Sequence, residues 1–212
     1  VWLPSLPVQE KMSYGKQLGI LRKPQLWFNI VTVIFIFAAM FSVYSYFAEY
    51  LGEVTLMNGS WISMMLMVFG IVMIFGNFLF GGLLHKNLTK TVIMFPLLYM
   101  VIYVFTYALG ASFLPMIVVV LIWGAVHSGG LIISQTWLTT EAKEAPEFGN
   151  SLFVSFSNLG ITIGATMGGW FISHLGIHQL IWSGMMFALL AFLSMFIKIK
   201  MFNSNAAEAS VR

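Results

Sequence analysis

Cysteine and aspartate are absent from these 212 residues, and Lys, Arg, Asp and Glu together make up only 8%. Without cysteine there is no disulfide framework, no thiol redox chemistry and no thiolate metal site, although the compartment stays open. Soluble domains carry roughly 25% charged residues, so a chain this poor in charge has too little polar surface to face water. The 10 Lys+Arg against 7 Asp+Glu leave a net charge of +3. That excess is scattered between apolar runs and forms no basic patch with groove-reading elements, which excludes nucleic acid as a main partner. What the chain does have is 59% hydrophobic and 16% aromatic residues. This composition implies an integral membrane protein whose principal surroundings are the lipid bilayer.

A membrane-crossing helix needs about 20 mostly apolar residues, and windows of that length predict six helices: 28–50, 61–84, 92–109, 114–138, 151–173 and 180–199. The expected class is all-α, with a 28–199 six-helix bundle between a 1–27 cytoplasmic lead-in and a 200–212 cytoplasmic tail. No soluble catalytic domain fits in what remains. The lead-in lacks the apolar core of a secretory signal. Lys and Arg in short loops are retained on the cytoplasmic side, and here the distribution is one-sided. Lys11, Lys16, Arg22, Lys23, Lys86, Lys90, Lys143, Lys198, Lys200 and Arg212 all fall on one side, whereas the loops around 52–60, 110–113 and 174–179 hold none. Both ends of the segment are therefore expected in the cytoplasm, and Glu49 near the opposite surface.

The second and fifth helices carry small residues. Gly76, Asn77, Gly81 and Gly82 mark the second; Asn158, Gly160, Gly164, Gly168 and Gly169 mark the fifth. The four-residue spacing of Gly160, Gly164 and Gly168 stacks them on one face, where backbones approach closely. Each of these helices is the second of three, and each pairs an Asn with a following Gly-Gly. This weak internal symmetry suits a 3+3 inverted repeat, an arrangement found in secondary transporters.

The run Phe75-Gly76-Asn77-Phe78-Leu79-Phe80-Gly81-Gly82-Leu83-Leu84-His85-Lys86 resembles the loop motif that follows the eighth helix in the major facilitator superfamily. His85 stands where that family usually has Asp, and Lys86 supplies its base. A second block comprises Trp123-Gly124, Gln135-Thr136-Trp137, Ala145-Pro146-Glu147, Asn150-Ser151, Asn158-Leu159-Gly160 and Gly164 to Gly169. It is similar to the tenth and eleventh helices of twelve-helix drug/proton and sugar-efflux antiporters, the group of arabinose-efflux-type permeases. Leu21-Arg22-Lys23-Pro24 is similar to the end of their central cytoplasmic loop. The resemblance implies the C-terminal half of such a transporter, in the cell membrane, with a partner N-terminal six-helix half preceding Val1.

The same resemblance implies that the first and fourth helices line a central cavity, that the second and fifth meet the other half, and that the third and sixth face lipid. Cavity candidates are then Asn29, Thr32, Phe41, Tyr44 and Tyr46 on the first helix, and Trp123, His127, Ser128 and Gln135 on the fourth. Independently of any family, an ionisable group at a helix centre is costly and tends to face a cavity. His127 is the deepest such group, and imidazole titrates near neutral pH. It suits a hydrogen bond to a neighbouring helix, a substrate contact or a proton carrier. Aromatic walls with sparse polar groups suit a neutral or amphiphilic small-molecule substrate.

The expected function is proton-coupled efflux of drugs, sugars or nucleosides by alternating access, with no cofactor beyond the proton gradient. No metal site is expected, because His174 and His178 lack further ligands. Two alternatives stay open. One is a half-size protein that dimerises. The other is an intramembrane Ser/His enzyme using His127-Ser128, which is disfavoured because adjacent helical residues point about 100° apart and no Gly-x-Ser-x-Gly elbow is present.

Overall fold

The computed structural model describes residues 14–209, with side chains for residues 17–202. Lys11 and Arg212, part of the charge argument, lie outside the described residues, as does the side chain of Lys16. The described chain is helical, in the order α1 (Tyr14–Gly19), a 3-10 turn (Ile20–Arg22), α2 (Pro24–Tyr44), α3 (Phe47–Glu53), α4 (Gly59–Lys86), α5 (Leu88–Leu109), α6 (Phe113–Thr139), α7 (Pro146–Leu175), a second 3-10 turn (Ile177–Gln179) and α8 (Leu180–Ala209).

Local chemistry sets these boundaries. Pro24 and Pro146 start α2 and α7, where a missing N–H costs no helical bond. The side chains of Asn58 and Asn87 accept from Trp61 N at 3.0 Å and Lys90 N at 2.9 Å, capping α4 and α5. Gly176, at φ +88°, lets the chain leave α7 in a left-handed conformation open to glycine.

Six helical spans are long and apolar enough to cross a membrane among the described residues, α2 and α3 counting as one. The first differs from the sequence reading: a continuous helix was expected over 28–50, but the chain breaks at Ser45 and Tyr46. The tyrosines around the break are tied to different helices. Tyr46 Oη donates to the Ala165 carbonyl of α7 at 3.0 Å, and Tyr50 Oη to the Thr106 carbonyl of α5 at 2.9 Å. At the other end, α8 runs past the expected limit of 199.

Helix α2 packs on α6, α7 and α8, while α6 packs on α2, α4, α5 and α7, and α5 meets α8. Exchanging α2 with α6, α4 with α7 and α5 with α8 turns α2–α7 into α6–α4 and α2–α8 into α6–α5. Successive spans alternate in direction, so this exchange also reverses the chain and the two three-helix units are related as inverted repeats. The exchange partners share their environment. Spans α2 and α6 are the most buried, α4 and α7 the least.

Candidate functional site

Near mid-depth, α2, α4, α5 and α6 close an aromatic enclosure around His127, which is 2% exposed. Its ring lies 4.7 Å from Tyr44, 5.4 Å from Phe69 and 5.7 Å from Phe41, centroid to centroid. Phe47 and Phe69 pack edge-on against the fully buried Trp123. Tyr99 Oη sits 2.6 Å from His127 Nδ1, and Trp123 Nε1 donates to Tyr99 Oη at 3.3 Å.

These contacts order one another. Indole N–H only donates, so Tyr99 Oη accepts from it and is left to donate its own proton. Nδ1 is then the acceptor, which places the imidazole proton on Nε2. No protein partner for Nε2 occurs among the described residues. Replacing Tyr99 by Phe should leave Nδ1 buried and unpaired, lowering stability by about 1–3 kcal/mol. Tyr103→Phe, which strips the bond from Tyr103 Oη to the Ala39 carbonyl, should cost about 1 kcal/mol. Unfolding midpoints in one detergent would rank the two, and equal midpoints would contradict the ordered chain.

Of the nine cavity candidates, Phe41, Tyr44, Trp123 and His127 gather in this enclosure. Ser128, next to His127, donates to the Ala125 carbonyl at 3.1 Å instead of engaging the imidazole. The others lie elsewhere. Asn29 Nδ2 donates to the Trp137 carbonyl, and Thr32 Oγ1 meets Ser194 Oγ at 3.0 Å, both buried. Tyr46 reaches α7, and Gln135 is exposed and donates to Asn150 Oδ1 at 2.9 Å.

Sequence reasoning missed Phe47, Phe69, Tyr99 and Tyr103. The last two sit on α5, which the resemblance assigned to lipid. A signal existed: Val92, Phe95, Tyr99, Tyr103 and Thr106 share one buried stripe, and phenol and hydroxyl tips are poorly matched to hydrocarbon.

The glycines divide by place. Any Cβ on Gly76 would strike the Ala125 carbonyl of α6; on Gly160, Gly164 and Gly168 it would strike the α2 backbone at Ile34, Ala38 and Ser42. These four are close contacts inside the bundle. Gly81 has open space, and Asn77 and Asn158 are exposed. His85 and Lys86 are exposed at the end of α4. His178 faces the Tyr107 carbonyl and His174 the Trp170 carbonyl.

At the cation-bearing end, Lys198 of α8 is buried, donates to Glu141 Oε1 at 2.8 Å and lies 4.2 Å from the Trp137 ring centroid. Lys23 pairs with Glu144 at 2.8 Å in a more exposed setting. Both acids belong to the α6–α7 link, which is thereby tied to the start of α2 and to α8.

Six apolar spans wrapped around buried polar side chains define a multi-pass membrane protein. Comparison with known proteins narrows this class. The chain is 30% identical over 171 residues to the inner membrane transport protein YdhP of Escherichia coli, covering 81% of this chain and 44% of that protein. It is 28% identical over 203 residues to a probable sugar efflux transporter of Helicobacter pylori, covering 93% and 51%. It is also 29% identical over 153 residues to the transcription regulatory protein OpdE of Pseudomonas aeruginosa, covering 71% and 38%. The chain thus spans about half the length of the curated relatives it matches. No family model matches it.

Proposed function

We propose that the chain is the C-terminal half of a proton-coupled secondary transporter of the major facilitator type, exporting small neutral or amphiphilic organic molecules across the cell membrane. Similarity over most of the chain to a protein named for membrane transport and to one named for sugar efflux carries this reading. Inverted repeats around a mid-depth site support alternating access as the mechanism. The partner six-helix half packs against α4 and α7, whose exposed faces include Phe75, Phe78, Leu159 and Ile163. Both ends of the segment lie in the cytoplasm, as the one-sided cations indicate.

In this mechanism the aromatic enclosure opens to one side of the membrane at a time as the two halves rock. Its rings supply apolar contact, and the Nε2–H of His127 supplies one directed hydrogen-bond donor. Tyr99 is a positioning residue, because it sets the tautomer without needing to touch substrate.

The test uses the complete natural protein in vesicles with an imposed pH gradient and a panel of drugs, sugars and nucleosides. At least one solute should accumulate, the accumulation should collapse with the gradient, and His127→Asn should reduce it by roughly tenfold or more, the scale of one lost buried hydrogen bond. No movement of any solute would overturn transport. Movement indifferent to the gradient would overturn proton coupling alone.

A further inference from the structure

The inverted repeat places two apolar grooves at equivalent positions on the bundle surface. One, of about 400 Å³, lies between α2 and α8 and is walled by Trp27, Val31, Phe35, Leu190, Leu193 and Ile197. The other, of about 310 Å³, lies between the exchange partners α6 and α5, with Val118, Ile122, Ile102 and Phe105 among its walls. In the first groove the polar atom of Ser194 is already engaged by Thr32. Both grooves therefore offer hydrocarbon walls.

Their mouths differ. Arg22 ends the turn that leads into α2, five residues before the groove's Trp27, and the bond from Trp27 Nε1 to the adjoining Leu21 carbonyl at 2.8 Å holds that turn to the tryptophan. Lys200 lies three residues beyond Ile197, close to one turn along α8. Arg22 and Lys200 are both exposed and have no acidic partner among the described residues. Nearby Lys23 and Lys198, in contrast, are neutralised by Glu144 and Glu141. Groove two ends at Leu109 and Pro115, and the intervening Gly110, Ala111 and Ser112 carry no charge.

We infer that the α2–α8 groove is a binding site for an anionic phospholipid, one acyl chain lying along Trp27, Val31 and Leu193 and the phosphate meeting Arg22 and Lys200. Free cations at the membrane surface attract anionic headgroups, and Trp27 lies in the first turn of α2, a helix end of the kind where tryptophan is enriched. The α5–α6 groove takes acyl chains without headgroup preference. The site depends only on the cations and the groove, so it stands whether or not transport is detected.

Trp27 is a built-in reporter. The complete protein is placed in mixed micelles of neutral detergent, and quenching by acyl-brominated phosphatidylglycerol is compared with quenching by acyl-brominated phosphatidylcholine. Subtracting the Trp27→Phe signal isolates this residue. Phosphatidylglycerol should quench it at roughly thirtyfold lower mole fraction, the preference two surface cations supply. The Arg22→Gln/Lys200→Gln pair should remove that preference while leaving quenching by phosphatidylcholine intact. Val31→Phe, on an exposed position that folding tolerates, should weaken both lipids, and Val118→Phe in the other groove should change neither. Equal quenching by the two lipids, or a preference surviving the double substitution, overturns the inference. So does displacement by soluble glycerol phosphate, which would make this a site for a free oxyanion.

Discussion

Gly164→Leu is expected to destabilise the bundle by about 3 kcal/mol or more, at or beyond the upper end of overpacking penalties. Even a methyl group there would fall 2.8 Å from Ala38 Cα and press on the same residue's carbonyl. Backbone cannot rotate away as a side chain can. Gly160 and Gly168 meet α2 in the same way one turn to either side, so the strain cannot be relieved by sliding α7 along its axis. Helix α7 would have to move outward, loosening packing along the whole seam. Gly81→Leu provides the control, since nothing lies within 4 Å of the point a Cβ would occupy there. Unfolding of both variants in the same detergent micelle decides the matter: a shared midpoint would mean that the α2–α7 seam is not close-packed.

The second large effect is expected from Lys198→Met, about 2–4 kcal/mol, near the loss seen when one member of a buried ion pair is removed. Lys198 is 7% exposed, and its removal strands the Glu141 carboxylate in a poorly hydrated place. The indole of Trp137 also loses the cation lying over it. Adding Glu141→Gln should restore much of the loss, because the uncompensated charge goes with it. Lys23→Met should cost at most about 1 kcal/mol, since water screens the exposed pair with Glu144. A double-mutant cycle on unfolding free energies checks both pairs. Additive losses for Lys198 and Glu141 would show that the two charges act independently.

These sites differ in how far the linear chain announced them. The glycine ladder was legible, since recurrence every four residues states a face. Close packing within the bundle was the expected use of that face, but its partner was not legible: Gly160, Gly164 and Gly168 abut α2. Helix periodicity says which residues share a side but not what stands opposite. Lys198 read as one more topogenic cation, because a bond to Glu141, 57 positions away, leaves no trace in local composition. His127 stood out as a deep ionisable group. Tyr99, which orders it, lies on a helix read as lipid-facing.

Sequence alone determined the number of spans, the all-helical class and the one-sided distribution of cations, because bilayer thickness and charge exclusion act on local composition. It also showed the small-residue faces and the histidine at mid-depth. Only the tertiary structure decided that Phe41, Tyr44, Phe69, Tyr99 and Trp123 converge on His127, that the first span breaks at Ser45 and Tyr46, and that two equivalent grooves carry unequal charge at their mouths. Those features arise where separate helices meet. In a chain apolar on nearly every side, the choice of neighbour depends on close packing and on which buried polar tip finds a partner.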